Sequence, residues 1–336
     1  MTMTMVSPNK TEFADHRPAP AKSAAASGRR RQSNRPVNGL LLLDKPPGPT
    51  SNGVLQRVKR MYQARKAGHT GSLDPLASGM LPLCFGHATK LCAYLLDADK
   101  EYRVTAAFGI KTDTADADGR IIAEAPLKAI DRDALLAVLG RFRGEIQQIP
   151  PMYSALKKDG RRLYELARLG QEVPRAPRRV LIHALELEHY DPQYPVLRVC
   201  CSKGTYIRTL VEDVAAASGT LGHVAALRRL RVAPFREEAL IGLDELEAAA
   251  AEGFEALDRR LLPPDRAIAD WPAVYLEQDE SRKLLHGQPV CSAAASDPGL
   301  VRVYDCDSRF LGIAEVLTDG RLAPKRLFAE QEGSSE

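Results

Sequence analysis

Two hydrophobic rhythms run along this chain, one of period two and one close to 3.6. The run Leu40-Leu41-Leu42-Leu43, broken sharply by Asp44-Lys45-Pro46-Pro47-Gly48, reads as a short buried strand. Thr50 or Ser51 caps the next helix, with Val54, Leu55, Val58 and Met61 inside and Arg57, Lys59 and Arg60 outside. A helix over Leu91 to Leu96 ends in Asp97-Ala98-Asp99. Residues 100–109 then alternate as a strand with Tyr102, Val104, Ala106 and Phe108 on one face. Asp131 caps a helix through Leu135, Leu136, Leu139 and Phe142, and strands follow over 180–190 and 195–201. Ser202-Lys203-Gly204-Thr205-Tyr206-Ile207-Arg208-Thr209-Leu210 turns from strand into helix, with Ile207, Leu210, Val211 and Val214 as the buried stripe. Residues 222–231 combine an apolar seam with a basic edge. Acidic helices fill 237–257, and Leu262-Pro263-Pro264 reads as a linker. Beyond it come a short helix, Glu280 to His286, and strands over 299–304, 309–316 and 321–328, with Asp319-Gly320 as a hairpin turn.

One stretch fits neither rhythm: Gly68-His69-Thr70-Gly71-Ser72-Leu73-Asp74-Pro75-Leu76-Ala77-Ser78-Gly79. Proline pushes the residue before it towards extended dihedrals and sits comfortably as the first residue of a helix. Asp74 is therefore expected at a loop-to-helix corner, opening a short helix that Gly79 weakens and Pro82 stops. Gly68 and Gly71 would let another chain approach closely. On its own this is an ordinary Asp N-cap. Tyr102 is by itself a core aromatic, and Lys45 is either a solvated turn lysine or a charge at the mouth of a site. Arg208 stands at a helix start, where the dipole disfavours a cation, so a dedicated acidic partner is expected for it.

Composition changes the picture in one respect. The 336 residues are 44% hydrophobic and 27% charged, ordinary globular material for about two domains, and no run approaches a membrane span. The net charge of +4 conceals segregation: residues 1–36 carry +5, residues 141–236 carry +8 and residues 237–270 carry −7. A positive field favours phosphate backbones. The segment 147–164, with Lys157, Lys158, Arg161 and Arg162 interleaved with Tyr153 and Tyr164, fits an RNA-contact surface. Residues 1–36, rich in Ala, Ser, Pro and Arg without apolar periodicity, read as a disordered basic arm that adds non-specific RNA attraction. A transit peptide and a misplaced start codon are the alternatives. The six cysteines show no CxxC pair or metal spacing and are read as reduced cytosolic thiols, mostly core filler. The acidic loop Thr112-Asp113-Thr114-Ala115-Asp116-Ala117-Asp118-Gly119 lacks the closing Glu of a Ca²⁺ loop and is read as a polar turn.

The stretch from Gly68 to Gly79 resembles the signature of the bacterial TruB family, the tRNA pseudouridine synthases acting on uridine 55. Leu43-Asp44-Lys45-Pro46, Lys100-Glu101-Tyr102-Arg103-Val104, Pro150-Pro151-Met152-Tyr153-Ser154-Ala155, Cys201-Ser202-Lys203-Gly204-Thr205-Tyr206-Ile207-Arg208 and Leu227-Arg228-Arg229-Leu230 resemble its other blocks in order, from about residue 38 to the late 320s. The departures are the long N-terminal arm and Gly222 where an alanine is common.

The resemblance implies an α+β fold: a mixed, largely antiparallel central sheet flanked by helices, with a small β-rich PUA-like C-terminal domain. It divides the chain into the arm 1–36, a catalytic domain 37–264, a PUA-like RNA-binding domain 265–330 and a tail 331–336. It implies Asp74 as catalytic aspartate, Arg208 as its partner, Tyr102 stacked on the target uracil and Lys45 near the pocket floor. His69 would lie in the loop that helps hold the base out of the tRNA, and Tyr206 and Leu227 would line the uridine pocket. The partner implied is tRNA, gripped at the T loop and acceptor side by a cytoplasmic monomer that needs no cofactor, metal or protein partner. A hydrolase working through a carboxylate pair is disfavoured, since the central loop offers one carboxylate.

Overall fold

The computed structural model describes residues 35–126, 130–235, 240–291 and 297–328. The arm expected over 1–36, but for its last two residues, lies outside them, as does the tail 331–336. The chain begins with β1 (Gly39–Lys45), α1 (Ser51–Met61), β2 (Ala67–His69) and β3 (Ser78–Phe85). A 3₁₀ turn leads into α2 (Cys92–Asp97), then β4 (Lys100–Phe108) and the hairpin β5 (Ile110–Thr112) and β6 (Ile121–Glu124). Next come α3 (Arg132–Gly140), β7 (Gly144–Gln148), the small hairpin β8 (Lys157–Lys158) and β9 (Arg161–Arg162), and α4 (Leu163–Arg168). The long strands β10 (Arg178–His189) and β11 (Val196–Cys201) precede α5 (Ile207–Ala217) and β12 (Gly222–Val232). After β13 (Ile241–Gly242), α6 (Leu243–Glu252) and α7 (Phe254–Asp258), the chain enters its C-terminal part. That part holds β14 (Ala273–Tyr275), α8 (Gln278–Leu285), β15 (Val290–Cys291), β16 (Gly299–Tyr304), β17 (Phe310–Val316) and β18 (Arg321–Leu327).

Among the described residues the main sheet runs β13-β1-β3-β12-β4-β11-β10-β7, with β2 on β3. It is antiparallel except where β13 meets β1 and where β12 meets β3. Local chemistry sets its helices. Thr50 caps α1 by accepting from the Gly53 N–H, and Asp131 caps α3 by accepting from Ala134. One face of the sheet buries Val104, Ala106, Phe108 and Val199 against Ile207, Leu210, Val211 and Val214 of α5. The C-terminal sheet, β14-β16-β17-β18-β15, packs Ile313 and Phe328 into the cluster that holds Leu40, Leu42, Met80 and Cys84. That shared apolar core fixes it against the back of the strands that carry the central loop. Gly320, at positive φ, makes the turn from β17 to β18.

The structure corrects two expectations. No helix follows Asp74: after a tight turn, in which the Ala77 N–H donates to the Asp74 carbonyl, the chain enters β3. Residues 80–85 are buried throughout, and a continuous apolar run suits a strand covered on both faces. Pro82 is tolerated because β12 pairs only Ser78 and Gly79 on that edge and β2 begins only at Leu83, so no ladder bond is lost there. The cysteines are also less buried than core filler. Cys84 and Cys201 are buried, but Cys92 and Cys200 are half-buried, and Cys291 and Cys306 are exposed.

Gly79 sits at φ +99°, and a Cβ there would lie 2.2 Å from the Arg229 carbonyl oxygen. β3 and β12 touch at this point with no side chain between them. Gly79→Ala is expected to lose at least about 1–3 kcal/mol from the φ alone. Chemical denaturation measures it, and an unchanged midpoint would show that the missing Cβ does not set the strand spacing.

Candidate active site

The loop from Thr70 to Ala77 joins β2 to β3 and presents Asp74, whose side chain is 41% exposed. Everything around that carboxylate is fastened. Ser51, at the start of α1, uses one hydroxyl twice: it accepts from the Leu73 N–H at 2.8 Å and donates to the Leu73 carbonyl at 2.9 Å. Lys45, at the end of β1, is fully buried and donates from Nζ to the carbonyls of Pro46, Pro75 and Ala77 at 2.8, 3.3 and 2.7 Å. It is thus neither a solvated turn lysine nor a charge at a mouth. Burial brings its pKa down to about 8, with Asp74 opposing and Arg229 assisting the shift. The Gly48 N–H adds a bond to the Pro75 carbonyl at 2.8 Å.

Arg208 meets Asp74 directly, Nε to Oδ2, at 2.9 Å. Its remaining nitrogens are spoken for: Nη1 donates to the Thr114 carbonyl and Nη2 to the Tyr153 carbonyl, both at 2.8 Å. Nη1 also lies 3.7 Å from Asp116 Oδ2. Asp116 is a residue that sequence reading placed in a polar turn. It is buried, and its Oδ1 accepts from Thr114 Oγ1 at 2.5 Å and from the Asp118 N–H at 3.3 Å. The guanidinium therefore sits between two carboxylates, the arrangement a cation needs at a helix start. Burial pushes the Asp74 carboxyl above its ordinary value. Arg208 and Lys45 pull it back, while Asp116 adds to the rise.

Tyr102, Leu227 and Arg229 share a face of the sheet: Tyr102 lies opposite Arg229 on β12, and Leu227 lies opposite Val104. Burial raises the Tyr102 and Tyr206 phenols, and Asp74 contributes to both shifts. Tyr206 opens α5, its backbone held by the Gln148 side chain, which accepts from the Tyr206 N–H at 3.0 Å and donates to its carbonyl at 3.3 Å. His69 lies on β2 opposite Leu83. Burial, with Arg229 nearby, lowers its pKa and so favours the neutral ring. Its Nδ1 is buried without a hydrogen-bond partner among the described residues.

The chain matches three consecutive family models: the N-terminal domain of the TruB family pseudouridylate synthases over residues 59–207, the C-terminal domain of tRNA pseudouridylate synthase B over 208–269, and the C-terminal domain of pseudouridine synthase II TruB over 272–328. It is 50% identical over 304 residues to tRNA pseudouridine synthase B of Nitrosococcus oceani, covering 90% of this chain and 99% of that protein. The chain belongs to the TruB family of pseudouridylate synthases. A second TruB relative, tRNA pseudouridine synthase B of Ectopseudomonas mendocina, is 53% identical over 298 residues, 88% of this chain and 97% of that protein. The fold also recurs in a solved H/ACA RNP bound to a substrate RNA containing 2′-deoxyuridine, at 23% identity and a TM-score of 0.67, covering 88% of this chain and 86% of that one. As a TruB-family member the chain is an isomerase, and among its described residues no helix is long and apolar enough to cross a membrane.

Proposed function

We propose that this enzyme converts uridine 55 in the T loop of tRNA to pseudouridine by flipping the base out of the RNA and acting on it with Asp74. The observation that carries this reading is the partly open Asp74 carboxylate, held 2.9 Å from a buried arginine on a loop whose Leu73, Pro75 and Ala77 carbonyls are pinned. The glycosidic bond of a stacked nucleotide is out of reach, and extruding it costs about a few kcal/mol. Tyr102 offers the flipped uracil a stacking face, which returns roughly 1–3 kcal/mol. Leu227 and Tyr206 line the pocket, and His69, at the end of β2 where the central loop begins, helps hold the base out of the tRNA. In the reaction N1–C1′ breaks, the uracil turns, and C5–C1′ forms. The proton lost from C5 is balanced by one gained at N1, so atoms and electrons close without a cofactor.

The basic segment from Lys157 to Arg168 supplies sequence-independent attraction for the backbone, and the C-terminal sheet grips the acceptor side. Incubation with unmodified tRNA, followed by chemical mapping of pseudouridine, tests the assignment. Product is expected at the T-loop uridine alone. Product elsewhere, or none, would overturn it.

A further inference from the structure

Arg229 is the largest side chain the described core buries completely, at 1% exposure. No carboxylate of the described residues pairs with it. Two of its nitrogens go to main-chain carbonyls, Nε donating to Met80 at 2.7 Å and Nη2 to Gly71 at 3.1 Å, and its side chain also bonds the Tyr102 phenol. Those carbonyls stand at the two ends of the segment that carries Asp74. Gly71 is three residues before the aspartate and Met80 six after it, so a single planar fork spans the loop's base. Lys45 holds the Pro75 and Ala77 carbonyls from the opposite side.

The position of the fork is itself fixed. The Arg229 backbone lies against Gly79 with no Cβ between them, and the register of β12 on β4 sets it opposite Tyr102. A buried cation without an ionic partner costs several kcal/mol unless its hydrogen bonds are satisfied. A purely structural clasp between β12 and β3 needs no charge there, since an apolar side chain would fill the same volume. The guanidinium meets the two carbonyls through two different nitrogens, Nε and Nη2, set in one rigid plane, so it fixes the angle between them as a flexible point charge does not. Turning those carbonyls inward leaves the Asp74 side chain, between them, facing Arg208. The cation also lies within electrostatic reach of Tyr102 and His69, which the reading above sets around the bound base, and of Lys45.

We propose that Arg229 is a positioning residue for the isomerisation: its guanidinium clasps the Gly71 and Met80 carbonyls and thereby holds Asp74 at the distance and angle from Arg208 and Tyr102 that the chemical step requires. This rests on Asp74 being the catalytic group. It assigns Arg229 no contact with substrate.

Arg229→Lys and Arg229→Met test it in three measurements: thermal unfolding, tRNA affinity, and the single-turnover rate with unmodified tRNA. Lysine keeps the charge but offers no planar fork, and methionine keeps only the volume. A misplacement of the reacting groups by about an ångström costs on the order of 100-fold in rate, and a loss of that size is expected for both variants while tRNA affinity stays at the wild-type value. Hydrogen exchange of the free proteins gives a readout that does not involve the reaction: the amides of residues 70–78 should exchange faster in both variants, with the rest of the sheet unchanged. If the wild-type enzyme makes no pseudouridine while exchange still quickens, the reading of the function fails and the clasp stands. A lysine variant with the wild-type rate, exchange that does not change, or failure of both variants to fold overturns the positioning role.

Discussion

Asp74→Asn is expected to reduce pseudouridine formation below detection while leaving the protein folded and able to bind tRNA. The amide keeps the shape of the side chain and loses its charge. Arg208 would still donate to the Thr114 and Tyr153 carbonyls and still face Asp116, so the site does not collapse. Stability should be equal or higher, and the sign follows from the carboxyl's raised pKa. An acid whose pKa is higher folded than unfolded weakens the folded state at pH values above it, because folding then disfavours the charged form. Removing that charge at neutral pH relieves the penalty. RNA affinity should also hold or improve, since a negative charge that would face a polyanion is gone. Product mapping, a binding titration and a melting curve check the three parts. Retained turnover in a clean preparation would remove Asp74 from the chemistry. The same variant separates catalysis from a role in RNA folding: rescue of a deletion phenotype by Asp74→Asn would show that the grooves matter without the carboxylate.

Much of this site is legible in the chain because its signals are local. The caps at Thr50 and Asp131, the alternation that puts Tyr102 and Val104 on one face, and the α5 stripe are all set by neighbours within a few residues. The unfavourable place of Arg208 at a helix start announces an acidic partner. It does not say that there are two, and the second, Asp116, comes from a loop 92 positions away in the sequence. The chief failure concerns cations. Arg229 reads as part of a basic edge and Lys45, before the resemblance is drawn, as a turn lysine or a charge at the mouth of a site, because a lysine or arginine without a nearby acid belongs on the surface. Both are buried, as is Lys100, whose Nζ donates to the carbonyls of Leu95, Leu96 and Ala98. Their partners are main-chain oxygens, which every residue carries and which therefore leave no mark in the sequence. The helix expected after Asp74 fails for a related reason. Gly79 and Pro82 are read as helix breakers when no strand is in view, yet one is a contact point with β12 and the other fills a gap in a ladder.

Replacing Arg208 should be nearly as damaging as replacing Asp74, and in a way that depends on pH. The guanidinium satisfies the Asp74 carboxylate and two carbonyls and stands beside a second carboxylate. Arg208→Ala leaves Asp74 and Asp116 close together with no cation between them, and the loss of one preorganised donor in such a site costs about 10²–10³ in rate. Arg208 opposes the burial that raises the Asp74 carboxyl, whereas Asp116 reinforces it. Without the arginine the pKa must climb further, so at neutral pH less of the enzyme carries an ionised Asp74. The acid limb of the pH–rate profile should therefore move to higher pH in Arg208→Ala, with part of the lost rate returning as the pH is raised. Arg208→Lys separates charge from geometry. A lysine restores a cation beside Asp74 but brings one nitrogen where the guanidinium sets three apart, on Asp74, Thr114 and Tyr153, so its acid limb should lie near that of the wild type while its plateau stays low. Single-turnover rates across pH for the three proteins decide it. An alanine variant whose acid limb does not move would mean that Arg208 serves the fold and not the ionisation of Asp74.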